Sequence, residues 1–223
     1  MSAHDSALVA RLEAGLHDLQ LALPDTAKNQ LLVYLEQLHK WNKAYNLSGI
    51  KDIKEMLVMH LLDSLMLAPF IDADLTADIG TGAGLPGVPL AICFPDKQFR
   101  LIDSNSKKTR FIFQTAALLG LRNVEVVHSR AEDYESHPQV AIVTSRAFAS
   151  LRDFVVRCDH FVAPHGKFLA MKGLIPDTEI ADLPAPYQVA AIHPLSLPST
   201  NHVRHVLDIR RTDNAAKHER SKP

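Results

Sequence analysis

Cysteine is scarce in this chain. Only Cys93 and Cys158 occur in 223 residues, both in apolar surroundings and at no metal-ligand spacing. That excludes a disulfide framework and a cysteine-built metal centre, and it fits buried thiols in a reducing compartment. Long hydrophobic runs are also lacking: Asp, His or Pro interrupts each one well short of a membrane span. No basic segment followed by an apolar one opens the chain, so the expectation is a cytoplasmic protein with no membrane contact. There is no excess of charge of one sign, the net being -1, which argues against a surface coated in basic residues. Internal repeats and low-complexity tracts are absent.

What is present is ordinary in bulk and uneven in detail. Hydrophobic residues make up 47% and charged residues 22%, as in a globular chain with a full core. Residues 1–79 hold 6 Lys/Arg against 11 Asp/Glu, and residues 80–223 hold 18 against 14. The end of the chain adds Arg204, Arg210, Arg211, Lys217, Arg220 and Lys222 against three acids, a bias that steers polyanions locally.

Helical periodicity dominates the first 70 residues. Leu8, Val9, Leu12, Leu16 and Leu19 share a face, and Leu31, Leu32, Leu35 and Leu38 form the next stripe behind Pro24-Asp25-Thr26. "YNLSG" ends it, and a third helix is expected from about residue 52 to 67. From residue 75 the rhythm becomes strand, loop, helix. Strands are expected at 75–79, 98–103, 124–129, 140–145, 167–172, 187–195 and 204–210, with helices at 86–93, 106–119 and 150–162. That alternation predicts a mostly parallel seven-stranded α/β sheet covered on both faces, with an antiparallel end. The expected organisation is a helical N-terminal region (1–70), a Rossmann-like domain (71–212) and a basic tail (213–223).

"ADIGTGAGLPG" (77–87) carries four glycines within eight positions. Gly82 to Gly87 formally satisfies G-x-G-x-x-G, the dinucleotide fingerprint, while Gly80 to Gly84 satisfies G-x-G-x-G, found in S-adenosylmethionine-dependent methyltransferases. The first glycine should make the turn off the strand, and the strand ends at Ile79, which favours Gly80 and the second register. No Gly-Lys-[Ser/Thr] follows, so a lysine-gripped phosphate is not offered. Asp103, at the end of the next strand, suits a ribose in either kind of site. Ser129-Arg130-Ala131-Glu132-Asp133, after the third strand, stands where such methyltransferases set an acid or amide and a backbone N–H against adenine. It reads equally as a helix cap when taken alone.

Two further absences bear on the reaction. No Asn/Asp-Pro-Pro-aromatic motif follows the fourth strand, which disfavours methylation of an exocyclic amine. No thiol is placed for attack on a pyrimidine ring, since Cys158 falls inside a predicted helix. A ring nitrogen with a free lone pair, such as guanine N7, needs neither device; it needs position and a suitable field.

"WNKAYNLSGI", "HLLDSL", "DIGTGAGLPGVPLAI", "LIDSNSKKTRFI", "SRAED", "SRAFASL" and "AMKG" together resemble the bacterial small-subunit ribosomal RNA guanine-N7 methyltransferases, also called the glucose-inhibited division protein B family. The similarity runs from about residue 30 to 210. It implies a Rossmann-like class I methyltransferase fold, S-adenosylmethionine as donor, and N7 of one guanine of 16S rRNA, guanine 527, as acceptor. By the same resemblance Gly80, Gly82, Leu85, Ala131, Glu132 and Arg146 contact the donor and Asp103 holds its ribose. Arg146 is expected near the reacting atoms, donating to guanine O6 and leaving N7 free, or else to shape the pocket through an ion pair with Asp78 or Glu132. Lys172 in "AMKG" is expected to touch RNA phosphate, or simply to end a strand. The modest net charge implies a 30S particle or assembly intermediate as the docking partner rather than naked rRNA.

Other clusters read more plainly. Trp41, Asn42, Lys43 and Tyr45 form either an RNA-stacking platform or the packed end of a helix. His60 and Asp63 lie one turn apart, as a capping or packing pair. His202 and His205 fall on opposite faces of an expected strand without a third ligand, so no metal is expected. An NAD-dependent oxidoreductase and a non-catalytic RNA-binding protein on the same scaffold are the competing functions.

Overall fold

A computed structural model describes residues 5–135, 137–146, 148 and 150–212; the expected basic tail over 213–223 lies outside these. Helix α1 (Ser6–Asp18) begins where the Asp5 carboxylate accepts the Ala7 N–H at 2.9 Å. Helix α2 (Asp25–Tyr45) stops at Asn46, which takes the left-handed conformation that ends helices. The third helix starts as α3 (Ile53–Met56), widens into a π-helical turn (Leu57–Leu62) and closes as α4 (Asp63–Leu65). Periodicity alone does not reveal the wide turn, because Leu57, Leu61 and Leu62 within it and Leu65 after it are all buried.

The α/β part runs β1 (Leu75–Ile79), α5 (Gly87–Cys93), β2 (Gln98–Asp103), α6 (Ser106–Leu119), β3 (Val124–His128), β4 (Val140–Ser145), α7 (Leu151–Cys158), β5 (Val162–Lys172), α8 (Asp177–Ala181), β6 (Tyr187–Ser196) and β7 (Val203–Arg211). The seven strands are ordered β3-β2-β1-β4-β5-β7-β6. Strands β1 to β5 pair in parallel, while β7 enters between β5 and β6 and runs antiparallel to both. The expected strands are all present. Strand β5 begins earlier than its apolar run, at Val162, because a register shift near Val140 lets a second, irregular stretch pair with β4. Helix α7 ends at Cys158 rather than 162, and a single 3-10 turn over Asp159–Phe161 then buries Phe161.

Alternation along the strands divides the interior into two layers. Phe99, Leu101, Ile142, Leu169 and Met171 face the layer built from α1 to α6, which includes Leu31, Leu35, Leu57 and Leu61. Ala77, Ile79, Ile102, Val143, Phe168 and Ile209 face the opposite layer, with Leu151, Phe154 and Val155 of α7. The N-terminal helices therefore share a core with the sheet. Tyr34 of α2 donates its hydroxyl to Ala83 O at 2.8 Å, which ties this layer to the glycine loop.

Candidate active site

The loop after β1 folds around its own backbone and two buried carboxylates. Gly80 N–H and Thr81 N–H both donate to Ile102 O, at 2.8 and 3.1 Å. Gly80, Gly82 and Gly84 all have positive φ, so the loop coils in a way side chains oppose. Asp78 reaches from β1 across the loop: its Oδ2 accepts from Thr81 Oγ1 at 2.6 Å and from Gly87 N–H at 2.8 Å. A Cβ on Gly87 would stand 2.9 Å from that same oxygen and 2.5 Å from Leu101 Cδ2, so only glycine brings its N–H so close. Helix α5 starts at Gly87, one residue later than expected, because Pro86 precedes the first helical residue.

This geometry decides between the two glycine registers. In a dinucleotide site the N-terminus of the helix after the loop receives a pyrophosphate. Here the carboxylate of Asp78 already occupies the Gly87 N–H, and Pro86 has no N–H to offer. The helix carries its own anion. Burial pushes the Asp78 carboxyl up to about 6, despite the hydrogen bonds from Thr81 and Gly87. Its Oδ1 and the Thr76 hydroxyl two residues before are buried without partners.

Asp103 closes the other side. Its Oδ2 accepts Gly82 N–H and its Oδ1 accepts Asn105 N–H, each at 2.8 Å. Asn105 then caps α6 by accepting from Lys107 N–H at 3.0 Å. A carboxylate has about four lone-pair positions, so Asp103 shapes the loop and still has acceptors for a ligand hydroxyl.

Two cavities meet at Gly80. The smaller, about 210 Å³, is an apolar slot between Ile79, Ile102, Ala131 and Phe148, edged by Asp103 and Glu132. The larger, about 430 Å³, lies between the glycine loop, the π-helical turn and the ends of β5 and β7, and holds Gly82, Leu85, Arg146, Lys172, Asp63 and Arg204. The fold thus brings Gly80, Gly82, Leu85, Arg146 and Lys172 to one cleft and Asp103, Ala131 and Glu132 to its neighbour. Glu132 sits on a 3-10 turn (Ala131–Asp133), where the alternative reading had it capping an α-helix.

Arg146 does not pair with Asp78 or Glu132, the two partners expected for it. Asp78 is taken up by the loop, and Glu132 pairs with Arg157 at 3.4 Å. Arg146 Nη1 donates instead to Asp63 Oδ2 at 2.8 Å, and Arg204 Nε donates to Asp63 Oδ1 at 2.6 Å. Beside them Ser48 Oγ and His60 Nε2 stand 2.5 Å apart, while His60 Nδ1 is 3.1 Å from Met59 O. A neutral ring with Nδ1–H satisfies both contacts, the serine hydroxyl donating to Nε2. Burial first, and then the Arg146 charge, lowers His60 to about 4, so the ring is neutral at physiological pH. Lys172 is paired with Glu179 at 2.9 Å rather than standing free at a strand end.

The family model for rRNA small subunit methyltransferase G matches residues 27–207. The chain belongs to this family. A member from Marinobacter nauticus is 47% identical over 203 residues, covering 91% of this chain and 95% of the relative. One from Escherichia coli K12 is 45% identical over 91% of this chain and 98% of the relative. Solved structures agree on the fold. TrmN from Thermus thermophilus superposes with a TM-score of 0.54 at 17% identity, over 67% of this chain and 47% of that one. TYW2 from M. jannaschii, solved in complex with AdoMet, gives 0.52 at 15% identity, over 68% and 76%. The class I methyltransferase fold accounts for the inserted antiparallel β7, which the all-parallel order 3-2-1-4-5-6 of dinucleotide domains lacks.

Part of this cleft is not legible residue by residue. Asp63 is legible only as half of a pair with His60, whereas its partners lie 83 and 141 positions away. Arg204 reads as one charge of a basic tail. Ser48 reads as a turn former, and its contact with His60 needs the turn after α2 to fold back on the π-helical segment. The aromatic-basic cluster divides: Trp41 sits 5.5 Å from Phe111, and buried Asn42 donates to Ile50 O and accepts Ser48 N–H, whereas Lys43 and Tyr45 are exposed.

Proposed function

We propose that this protein transfers a methyl group from S-adenosylmethionine to N7 of one guanine in small-subunit (16S) ribosomal RNA. The single observation that carries the donor assignment is the Asp78–Gly87 contact, which fills the helix N-terminus where a dinucleotide would need its pyrophosphate. That disfavours the NAD reading from the geometry of the loop itself. The acceptor class rests on the family.

The residues fit the donor. The Ile79, Ile102, Ala131 and Phe148 slot suits a flat heterocycle, with Glu132 at its edge for polar contact. Asp103 is positioned for ribose hydroxyls, and Gly80, Gly82 and Leu85 line the space for the methionine portion. When bound, the donor supplies an electrophilic methyl on a sulfonium. The protein's task is to align the base, because a neutral ring nitrogen needs no proton removed before attack. Arg146 donates to guanine O6, which leaves the N7 lone pair facing the methyl. Cys158 is fully buried in the opposite layer and burial pushes its thiol up, as it does for Cys93, pushed up to about 12. Neither thiol serves as a ring nucleophile. Lys172, held by Glu179, stands at the mouth for a backbone phosphate of the RNA.

The helical region up to residue 70 and the domain over 71–212 act together, and the substrate is a 30S particle or assembly intermediate in the cytoplasm. Among the described residues no helix is long and apolar enough to cross a membrane.

Calorimetric titration with S-adenosylhomocysteine and with NAD, followed by mapping of the methylated base in 30S rRNA, tests the reading. Binding of S-adenosylhomocysteine alone and a new N7-methylguanine are expected. An Arg146→Ala variant should bind S-adenosylhomocysteine and lose about 100-fold or more in turnover. Binding of NAD alone, or wild-type methylation by the variant, overturns the corresponding assignment.

A further inference from the structure

Three distant stretches of chain meet on one carboxylate. Asp63 follows directly on the π-helical turn, and its side chain is 7% exposed. Arg146 arrives from the end of β4 and Arg204 from β7, each taking a different carboxylate oxygen, and both guanidiniums are about one-fifth exposed toward the cleft. Both oxygens of Asp63 are thus committed to arginine. π-Helical turns re-aim the residues that follow them and recur at functional sites. Here the wide turn delivers Asp63, and Met59 within it, to the same cavity.

The charges in the cleft matter to this reaction in particular. The electrophile is a cation and the nucleophile is neutral, so positive charge spreads from sulfur through the methyl onto the base, and the methylated base is left cationic. Two unpaired guanidiniums beside that line would oppose the transfer, in a cavity where charges interact strongly. One carboxylate between them cancels one of the two charges. A guanidinium has five N–H groups, and the bond to Asp63 uses one from each. Arg204 Nη1 and Nη2 have no hydrogen bond among the described residues, so they remain to hold an oxygen of the base or its phosphate.

We propose that Asp63 is a positioning residue for methyl transfer: it fixes Arg146 and Arg204 in one geometry in the cleft and sets the cleft's charge, so that the guanine is held with N7 facing the methyl. This rests on the methyltransferase reading above. Asp63 touches neither reactant and acts through the two arginines.

The test uses the full-length chain with S-adenosylmethionine and 30S particles from cells that lack the protein. Wild type, Asp63→Asn and Asp63→Glu are compared for kcat, KM for 30S, S-adenosylhomocysteine affinity and melting temperature. Asp63→Asn keeps the shape and removes the charge; Asp63→Glu keeps the charge and shifts the carboxylate by one methylene, so the two disturb folding by different routes and are each judged on the folded fraction. Both variants should lose about 100-fold in kcat, the scale of a misplaced reacting group, with S-adenosylhomocysteine affinity unchanged. KM for 30S should be unchanged or lower in Asp63→Asn, which has one negative charge fewer. Wild-type kcat in Asp63→Glu overturns the proposal. So does parallel loss of melting temperature and S-adenosylhomocysteine affinity with kcat of the folded fraction intact, since that marks a purely structural role. If the wild-type protein neither binds S-adenosylhomocysteine nor methylates 30S, it is the methyltransferase reading that fails.

Discussion

His60 shows how a single side chain records its surroundings. It sits between the Ser48 hydroxyl and Met59 O, and burial, with added repulsion from Arg146, lowers it from 6.5 to about 4. The unfolded chain takes up this proton near 6.5 and the folded chain only near 4. The stability that His60 contributes is therefore complete above about 6.5 and is lost as pH falls towards 4. Asp78 works in the opposite sense. Its folded value of about 6 lies above the ordinary 3.8, so the folded chain binds the proton more tightly, and stability falls as pH rises through that window. A His60→Gln variant separates the two. Wild type should lose up to about 3 kcal/mol relative to the variant between about pH 7 and pH 4, measured by denaturant melts. Parallel curves for the two proteins would show that the ring titrates in the fold as it does in the unfolded chain.

Among the elements, the glycine loop is the most constrained. Its turn rests on Ile102 O, its two sides on Asp78 and Asp103, and its exit on the absence of a Cβ at Gly87. Gly87→Ala puts a methyl 2.5 Å from Leu101 Cδ2 and 2.9 Å from Asp78 Oδ2, which forces α5 away from β2. Overpacking of this kind costs about 1–3 kcal/mol, and the same displacement breaks the Asp78–Gly87 bond. Melting temperature and S-adenosylhomocysteine affinity should fall together in this variant, unlike in Asp63→Glu, where affinity is kept. A variant as stable as wild type would mean that the loop tolerates the methyl by moving. The loop's register was readable from sequence because β1 ends visibly at Ile79. The π-helical turn was not, because buried apolar residues fill the segment so densely that a change of face leaves no mark in the pattern.

For the molecule as a whole, the balance of charge is the informative quantity. The net is -1, yet residues 80–223 hold 18 basic residues against 14 acidic ones. Arg146, Arg204, Lys108 and Lys172 line the larger cavity, with Asp63 and Glu179 each holding part of that charge. Such a lining concentrates positive potential at the cleft, while a net charge of -1 gives little overall attraction for a naked polyanion. Methylation of assembled 30S particles should therefore exceed that of protein-free 16S rRNA at equal salt. Equal rates on the two substrates would shift recognition onto the RNA alone.

The sequence by itself determined the strand-loop-helix order, the seven strands and the register of the glycine loop. These follow from local periodicity and from turn chemistry, which act over a few residues and leave their mark in spacing. Only the tertiary structure decided who holds Arg146, and it is Asp63 together with Arg204 rather than Asp78 or Glu132. It alone placed Asp78 on the N-terminus of α5 and Ser48 on His60. The physical reason is one of range. An ion pair between residues 83 or 141 apart depends on how the helical layer docks on the sheet, and docking is set by the summed shape of two buried surfaces rather than by any short stretch of chain.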